Sequence, residues 1–285
     1  KMKAIIMAGG TGSRLLPLTL AINKHLLPIY DKPMIYYPIS LLMLAGVKEI
    51  LLIIKSDSLK QFKLLLGNGD ELGIKINYKV QDAPLGIADG IKISENFIRN
   101  ERFIFALGDN IFYGDSIGLL VKDAYKNSSR GVVFSCWNSK PEDYGVLQRD
   151  SKKSPLNIIE KPTEYISNEI ITGLYIYDSS VIDIVNSLRP SQRGELEISD
   201  LNDKLLKQKE LAVVQLGRGV AWFDNGSALS MLHASNFVEI IQNKQGKLIG
   251  SVEEIALNLG LIEYSAYKSR ISKFHKSNYA EYHLE

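Results

Sequence analysis

A single cysteine, Cys136, among 285 residues leaves no partner for an intramolecular disulfide and no cysteine set for zinc. It fits a reducing compartment and reads as a buried, inert thiol. No stretch approaches the ~18 consecutive apolar residues of a membrane span, and the apolar run Ala4 to Ala8 is too short for a signal-peptide core. A cytoplasmic protein with no membrane partner is expected, and Lys1 ahead of Met2 carries no role in that reading. Charge of one sign is also lacking: 34 Lys and Arg against 32 Asp and Glu give +2, too little field to hold duplex nucleic acid. A small anionic substrate fits that balance. Linkers, low-complexity runs and repeats of 20–50 residues are missing too, which sets aside solenoids and propellers.

With 45% hydrophobic and 23% charged residues the chain has the composition of a globular protein. Lys3 to Met7 is a short apolar run that stops at a glycine cluster, the pattern of a buried parallel strand entering a tight loop. Helical spacing over Ile35 to Leu44, Gly46, and a second buried strand at Glu49 to Ile54 complete a βαβ unit. The alternation recurs with a helix near Leu59 to Leu66, a strand at Ile74 to Val80, a helix at Ile87 to Phe97 and a strand at Phe103 to Leu107. In such sheets ligands gather at the carboxyl ends of the strands, so the loops beginning at Ala8, Gln81 and Gly108 are expected to converge on one crevice.

Beyond a helix at Ile117 to Asn127 the texture changes. Strands are expected at Val132 to Trp137, Gly145 to Arg149, Leu156 to Glu160, Ile171 to Tyr177 and Leu211 to Leu216. Helices are expected at Val181 to Leu188, Ile198 to Lys207 and Ala228 to Asn243. The tail, with Val252 to Leu259 and a basic segment from Lys268 to Lys276, follows without a linker and is expected to fold against the body.

Gly9-Gly10-Thr11-Gly12-Ser13-Arg14 follows the first strand, and three glycines in four positions permit positive φ and close approach of backbone N–H groups to phosphate. Leu15 stands where a dinucleotide fingerprint needs its third glycine, and no Gly-Lys-Ser/Thr closes a Walker A loop. A tight turn with a solvated Arg14 is the plain alternative. Arg14 and Lys24 can supply two cations to a polyphosphate. Asp109, in Gly108-Asp109-Asn110, and Asp224 each follow a strand, and such a carboxylate pair suits Mg²⁺ bound to substrate phosphates. Glu160-Lys161-Pro162 ends a strand, with an exposed ion pair as the ordinary reading. His25, His233, His275 and His283 lack zinc spacing and read as surface or packing residues.

Taken together, these segments resemble the nucleotide-sugar pyrophosphorylases, and among them the glucose-1-phosphate thymidylyltransferases. The resemblance rests on Met7 to Leu15, Lys24 to Met34, Leu107 to Asn110, Glu160 to Pro162, Thr172 to Tyr175, Arg193 to Ile198 and Trp222 to Asp224. Asn243 to Gly246 and Glu253 to Ala256 extend it toward the end of the chain. It implies an α/β fold with a Rossmann-like, mixed but mostly parallel sheet flanked by helices, a smaller sugar-binding β region and a C-terminal helical segment. One domain over 1–285 is implied, with 1–127 mainly for nucleotide, 128–227 mainly for sugar phosphate, and 228–285 for assembly or regulation.

The implied reaction transfers a thymidylyl group from dTTP to α-D-glucose 1-phosphate, giving dTDP-glucose and pyrophosphate, a first step toward dTDP-L-rhamnose. Carried over residue by residue, Gly9, Gly10, Thr11, Gly12, Ser13 and Arg14 hold the triphosphate and Lys24 steadies its phosphates. Gln81 and Gly86 read the pyrimidine, and Asp109 lies near the nucleotide sugar. Gly145, Glu160, Lys161 and Thr172 surround the sugar phosphate, while Asp109 and Asp224 bind Mg²⁺. Leu44, Tyr113, Gly114, Lys244, Gln245, Gly246 and Glu254 match a regulatory nucleotide-sugar region in a homotetramer. Ser13, His25, Leu85, Asn225 and Ser227 depart from the usual residues, and a UTP-dependent relative or a non-catalytic sensor is the alternative. Arg14, Lys24, Asp109, Lys161 and Asp224 occurring together favours an enzyme.

Overall fold

The computed structural model describes residues 2–283, so Lys1 lies outside the described residues. The first half comprises β1 (Lys3–Met7), a hairpin of β2 (Pro28–Ile29) and β3 (Lys32–Pro33), α1 (Tyr36–Leu44), β4 (Glu49–Ile54), α2 (Leu59–Leu66), β5 (Lys75–Val80), α3 (Ile87–Ile93), α4 (Glu95–Ile98), β6 (Phe103–Leu107), β7 (Ile111–Tyr113) and α5 (Ile117–Ala124). Then come β8 (Gly131–Trp137), β9 (Gly145–Arg149), β10 (Pro155–Glu160), β11 (Glu169–Tyr177), α6 (Val181–Asn186), α7 (Ile198–Lys207), β12 (Leu211–Gln215), β13 (Ala221–Phe223), α8 (Ala228–Gln245), α9 (Val252–Asn258), α10 (Tyr264–Ser272) and α11 (Asn278–Glu281).

Nine strands form one mixed sheet in the order β10-β9-β11-β6-β1-β4-β5, with β8 paired to β11 and β12 paired to β8. β1 runs parallel to β4 and β6, and β4 to β5. β11 is antiparallel to β6 and joins the later strands to the earlier ones. Alternate residues of the central strands serve two cores, as a sheet covered on both faces requires. Ala4, Ile6, Leu52 and Ile104 meet α1, α2, α5 and α9 on one face. Ile5, Leu51, Ile53 and Phe105 meet α3, α6 and α7 on the other.

The parallel strands end at one level. Met7 is in register with both Ile53 and Leu107. The ladder runs one residue past the strand ends, with Ala8 N donating to Ile53 O at 2.7 Å, Gln81 N to Ile54 O at 2.9 Å and Gly108 N to Met7 O at 2.9 Å. The three loops expected to share a crevice therefore start side by side.

Several boundaries differ from expectation for local reasons. The helix expected over Ile87 to Phe97 is two helices, because Ser94 Oγ donates to Gly90 O at 2.6 Å and interrupts the ladder. The hairpin β2–β3 and the strand β7 carry too few residues for a readable period. The basic tail segment folds against the body as expected: Arg270 is buried in α10, donating to Glu253 Oε1 at 2.8 Å, and Lys273 joins it on Glu71. β11 changes register between Ile171 and Tyr175, a bulge that leaves Thr172 and Gly173 out of the ladder.

Two loops are stitched across the crevice mouth. Leu196 N donates to Leu85 O at 2.8 Å, and Ala88 N donates to Leu196 O at 3.1 Å. Gly86 lies between these bonds with φ 99°, and a Cβ there would come within 2.5 Å of Leu196 N and O. Only glycine suits that approach. Gly86→Ala is expected to cost ~2 kcal/mol or more, since both backbone strain and a displaced backbone partner are involved. Urea unfolding would measure it, and wild-type stability in that variant would remove the stitch as a constraint.

Candidate active site

The glycine loop leaves β1 at Ala8. Contrary to the expectation from three glycines, only Gly12 has a positive φ, 62°, while Gly9 and Gly10 do not. Gly12 is held by Thr19, whose Oγ1 donates to Gly12 O at 2.8 Å and whose methyl would stand 2.8 Å from an added Cβ. Gly10 has open space where a Cβ would be, so the loop's free side faces the cleft. Thr11, Ser13 and Arg14 are exposed, and buried Leu15 anchors the turn that carries Arg14.

Lys24 sits in the short helical turn Lys24–Leu26, fixed by Asn23. Asn23 Oδ1 accepts from His25 N and pairs with His25 Nδ1, both at 2.9 Å, and its amide donates to Ala8 O at 3.2 Å. So held, the Lys24 ammonium forms an ion pair with Asp109 Oδ2. Asp109 Oδ1 accepts from Asn110 Nδ2 at 2.9 Å. Burial alone would raise the Asp109 pKa, but Lys24, His25 and the Asn110 amide outweigh it and hold the carboxyl below its usual value. Asn110 is a hub the sequence did not flag: its Oδ1 accepts from Trp222 Nε1 at 2.7 Å and from Gly173 N at 2.9 Å, tying the β6 loop to β13 and to the bulge of β11.

Asp224 reaches this point through a strand pair. β13 is antiparallel to β7, with Phe223 opposite Ile111. Carrying that register past the strands sets Asp224 and Asn225 beside Asn110 and Asp109. Tyr144 OH donates to Asp224 Oδ2 at 2.9 Å and meets Trp222 edge-on at 5.3 Å. Burial and the Asp224 charge push the Tyr144 pKa up, so the phenol stays a donor.

Glu160 and Lys161 end β10. Among the described residues they do not pair with each other, which corrects the exposed ion pair of the plain reading. Ser199 donates to Glu160 Oε2, and Arg193 lies 3.7 Å from Oε1. Burial, together with the charge of Glu197, raises the Glu160 pKa against Ser199, Lys161 and Arg193. Lys161 has φ 42°, and its N–H donates to Tyr144 O at 2.9 Å. Gly145 is opposite Glu160 in the β9–β10 register, and a Cβ on it would stand 2.9 Å from Ser199 Oγ. The Thr172 hydroxyl donates to Phe134 O at 2.9 Å inside the sheet, so it has no hydrogen left to donate into the cleft.

These residues enclose two joined chambers. The larger, about 410 Å³, is lined by Gly10, Gly12, Ser13, Arg14, Gly145, Glu160, Lys161, Thr172, Arg193, Asp224 and Tyr144. The smaller, about 250 Å³, is lined by Gly9, Thr11, His25, Gln81 and Gly86. Lys24 and Asp109 belong to both. Gln81 Nε2 donates to Asp89 Oδ2 at 2.6 Å, and because a carboxylate only accepts, this fixes which end of the amide faces Asp89 and leaves Oε1 and the second N–H of Nε2 to offer. Leu85, next to Gly86, lines neither chamber. His25 is a packing residue as expected, yet it is also a wall of the smaller chamber. Tyr144, Asn110, Arg193 and Ser199 were not singled out for roles by sequence, although Arg193 opens the segment Arg193 to Ile198 named above and Ser199 follows it.

The set Leu44, Tyr113, Gly114, Lys244, Gln245, Gly246 and Glu254 lines neither chamber. Tyr113 OH donates to Gln245 Oε1 at 2.8 Å, and Leu44 abuts Gly118, where an added Cβ would stand 2.6 Å away. Gly114 is closed against Gly219 and Val220, Gly246 caps α8, Lys244 precedes that cap and Glu254 N is capped by Ser251 Oγ.

Residues 3–240 match the family model described as Nucleotidyl transferase. The chain is 44% identical to a glucose-1-phosphate thymidylyltransferase of Neisseria gonorrhoeae over 99% of this chain and 98% of that one. It is 41% identical to one of Mycolicibacterium smegmatis, covering 100% and 98%. A Bacillus anthracis crystal structure, assigned provisionally to the same activity and solved with sucrose, superposes with a TM-score of 0.77 at 38% identity, covering 83% of this chain and 95% of that one. A UDP-glucose pyrophosphorylase with UDP-glucose, at 23% identity, shares the fold with a TM-score of 0.74 over 84% and 98%.

Burial drives the His25 pKa down to about 4 from 6.5, with Asp109 opposing and Lys24 assisting. The imidazole is thus neutral at pH 7, and Nδ1–H is the donor to Asn23 Oδ1. The unfolded chain takes up this proton first as the pH falls, so the His25 contribution is complete above pH 6.5 and is lost between about 6.5 and about 4. The loss amounts to roughly 3 kcal/mol. His25→Gln is expected to flatten the fall in urea-unfolding free energy from pH 7 to pH 4.5, and an unchanged slope would count against it.

Proposed function

This chain belongs to the nucleotidyl transferase family, and on that premise we propose that it transfers a thymidylyl group from dTTP to α-D-glucose 1-phosphate, releasing pyrophosphate and forming dTDP-glucose. The observation that carries this reading is the Lys24–Asp109 pair at the junction of the two chambers. The smaller chamber takes the nucleoside and the larger takes the sugar phosphate, so the phosphate chain crosses the junction. In the smaller, Gln81 Oε1 accepts the N3–H of a thymine or uracil ring, a donor that cytosine N3 lacks. In the larger, Glu160 with Ser199, and the backbone at Gly145 and Thr172, hold the sugar.

A phosphate oxygen of the sugar substrate attacks the α-phosphorus in line, the α–β bridging bond breaks, and pyrophosphate carries away the electron pair. Both reactants are anions, so the protein's task is positioning and cationic stabilisation. Lys161 steadies the attacking phosphate. Arg14, Lys24 and the N–H groups of Gly9 to Ser13 hold the phosphates on the leaving side. The nucleophile is already ionised and no general base is needed.

Asp109 and Asp224 fit Mg²⁺. They are hard oxygen donors on one cleft wall, the donor type that suits an ion shared with substrate phosphates. When bound, the ion supplies neutralisation of phosphate charge. For assembly, exposed Leu229, Leu232 and Ile240 along α8 support self-association, in line with a homotetramer whose contacts involve the Tyr113–Gln245 region. No helix among the described residues is long and apolar enough to cross a membrane.

The direct test is pyrophosphate release with each nucleoside triphosphate and a panel of sugar 1-phosphates. The highest kcat/KM is expected for dTTP with glucose 1-phosphate, UTP lower, and CTP, ATP and GTP far lower; preference for UTP or a purine nucleotide would overturn the assignment. Lys161→Ala should cost about 2 kcal/mol, roughly thirtyfold in kcat/KM for glucose 1-phosphate, with dTTP affinity by calorimetry little changed. Collapse of dTTP binding instead would move Lys161 to the nucleotide side.

A further inference from the structure

Asn225 follows Asp224 and is completely buried, with φ 47°. Its Nδ2 donates to Asp109 O at 2.8 Å, while its Oδ1 is buried without a partner among the described residues. An unmatched buried acceptor costs stability, and a left-handed backbone suits glycine better than a side chain. Local structure alone would therefore favour glycine at this position. What asparagine adds is one bond, and that bond runs to the backbone of Asp109.

The bond closes a frame around the two carboxylates. The Asp109 side chain is held by Lys24 and Asn110, and the Asp224 side chain by Tyr144. Asn110 is tied to Trp222, two residues before Asp224. The turn after Asp224 is tied to Asp109 by Asn225. The β7–β13 pairing ends at Ile111 and Phe223, so beyond it these two side-chain amides set the separation of the loops. Trp222 also takes part in the cleft wall, which leaves Asn225 as the connection that touches neither chamber.

We propose that Asn225 is a positioning residue that holds Asp109 and Asp224 at the separation required for a divalent cation on the substrate phosphates. The inference rests on the metal reading given above. Because Asn225 acts through the carboxylates, its loss should weaken metal-dependent binding while leaving metal-free nucleotide binding intact.

The experiment compares dTTP affinity with and without Mn²⁺ by calorimetry, sugar phosphate omitted, in the wild type, Asn225→Gly, Asn225→Ser and Asp224→Asn. Half-saturating Mg²⁺ in pyrophosphate release is measured in parallel. Wild-type protein should bind dTTP more tightly with Mn²⁺. Asn225→Gly, which accepts the backbone conformation, should lose at least tenfold of that gain, about 1.4 kcal/mol, with metal-free affinity within twofold. Its half-saturating Mg²⁺ should rise at least tenfold, and excess Mg²⁺ should restore kcat. Asn225→Ser, too short to reach Asp109 O, should behave alike.

Asn225 variants that keep the full Mn²⁺ gain while Asp224→Asn loses it would overturn the positioning role and leave the metal reading standing. Absence of any Mn²⁺ gain in the wild type would overturn both. Failure of both Asn225 variants to fold would assign the residue to stability alone and also overturn the role.

Discussion

The arrangement of this protein turns on one ion pair, Lys24 with Asp109, held where two chambers meet. Removing two charges from water is unfavourable, and such a pair is kept only where hydrogen bonds and geometry satisfy both members. Here Asn23 fixes the turn bearing Lys24, and Asn110 completes the shell of Asp109. The pair needs β1 and β6 side by side, their ends in register, so that the loop after one can face the loop after the other. The neutral His25 follows from the same geometry: a second cation beside Lys24 in so buried a place would be unfavourable.

Around the pair, the antiparallel additions to the parallel core do work the parallel strands cannot. β11 brings its bulge to the cleft, and Gly173 N reaches Asn110 there. The β7–β13 ribbon carries Asp224 to Asp109 across more than a hundred residues of chain. The stitch between Leu85, Ala88 and Leu196 joins the loop of the smaller chamber to the segment that supplies Arg193, Glu197 and Ser199. The two chambers are thus braced against each other by backbone bonds, the preorganisation that the proposed reaction between two anions requires.

The C-terminal helices brace the hairpin that follows Lys24. Lys32 is buried on Asp31 and Gln242, between the rings of Tyr37 and Tyr279 at 5.3 and 5.6 Å. Glu253 gathers Arg270 and Tyr279, linking α9, α10 and α11. In this buried polar network Arg270 also reaches Glu71 and Tyr279 reaches Ser251, so the tail is seated against the body by several directional bonds.

Much was legible from sequence because it depended on local period and residue type. Buried runs such as Lys3 to Met7 and Phe103 to Leu107 can be satisfied only as central strands, and a glycine cluster, a lysine and an aspartate at strand ends announce an anion-binding crevice. The thymidylyltransferase resemblance rests instead on motif segments such as Met7 to Leu15 and Lys24 to Met34, and the mixed, mostly parallel sheet is what it implied. Sequence did not decide which glycine takes the left-handed conformation, because that depends on Thr19 standing behind Gly12. It assigned no role to Asn110, Tyr144 or Asn225, whose importance lies in partners 63 to 116 residues away. Its plain alternative paired Glu160 with Lys161, whereas the fold brings Ser199 and Arg193 to Glu160. Period and composition report what each segment must bury; which side chains then share a hydrogen bond is set by strand register and crossover, and those exist only once the chain has closed on itself.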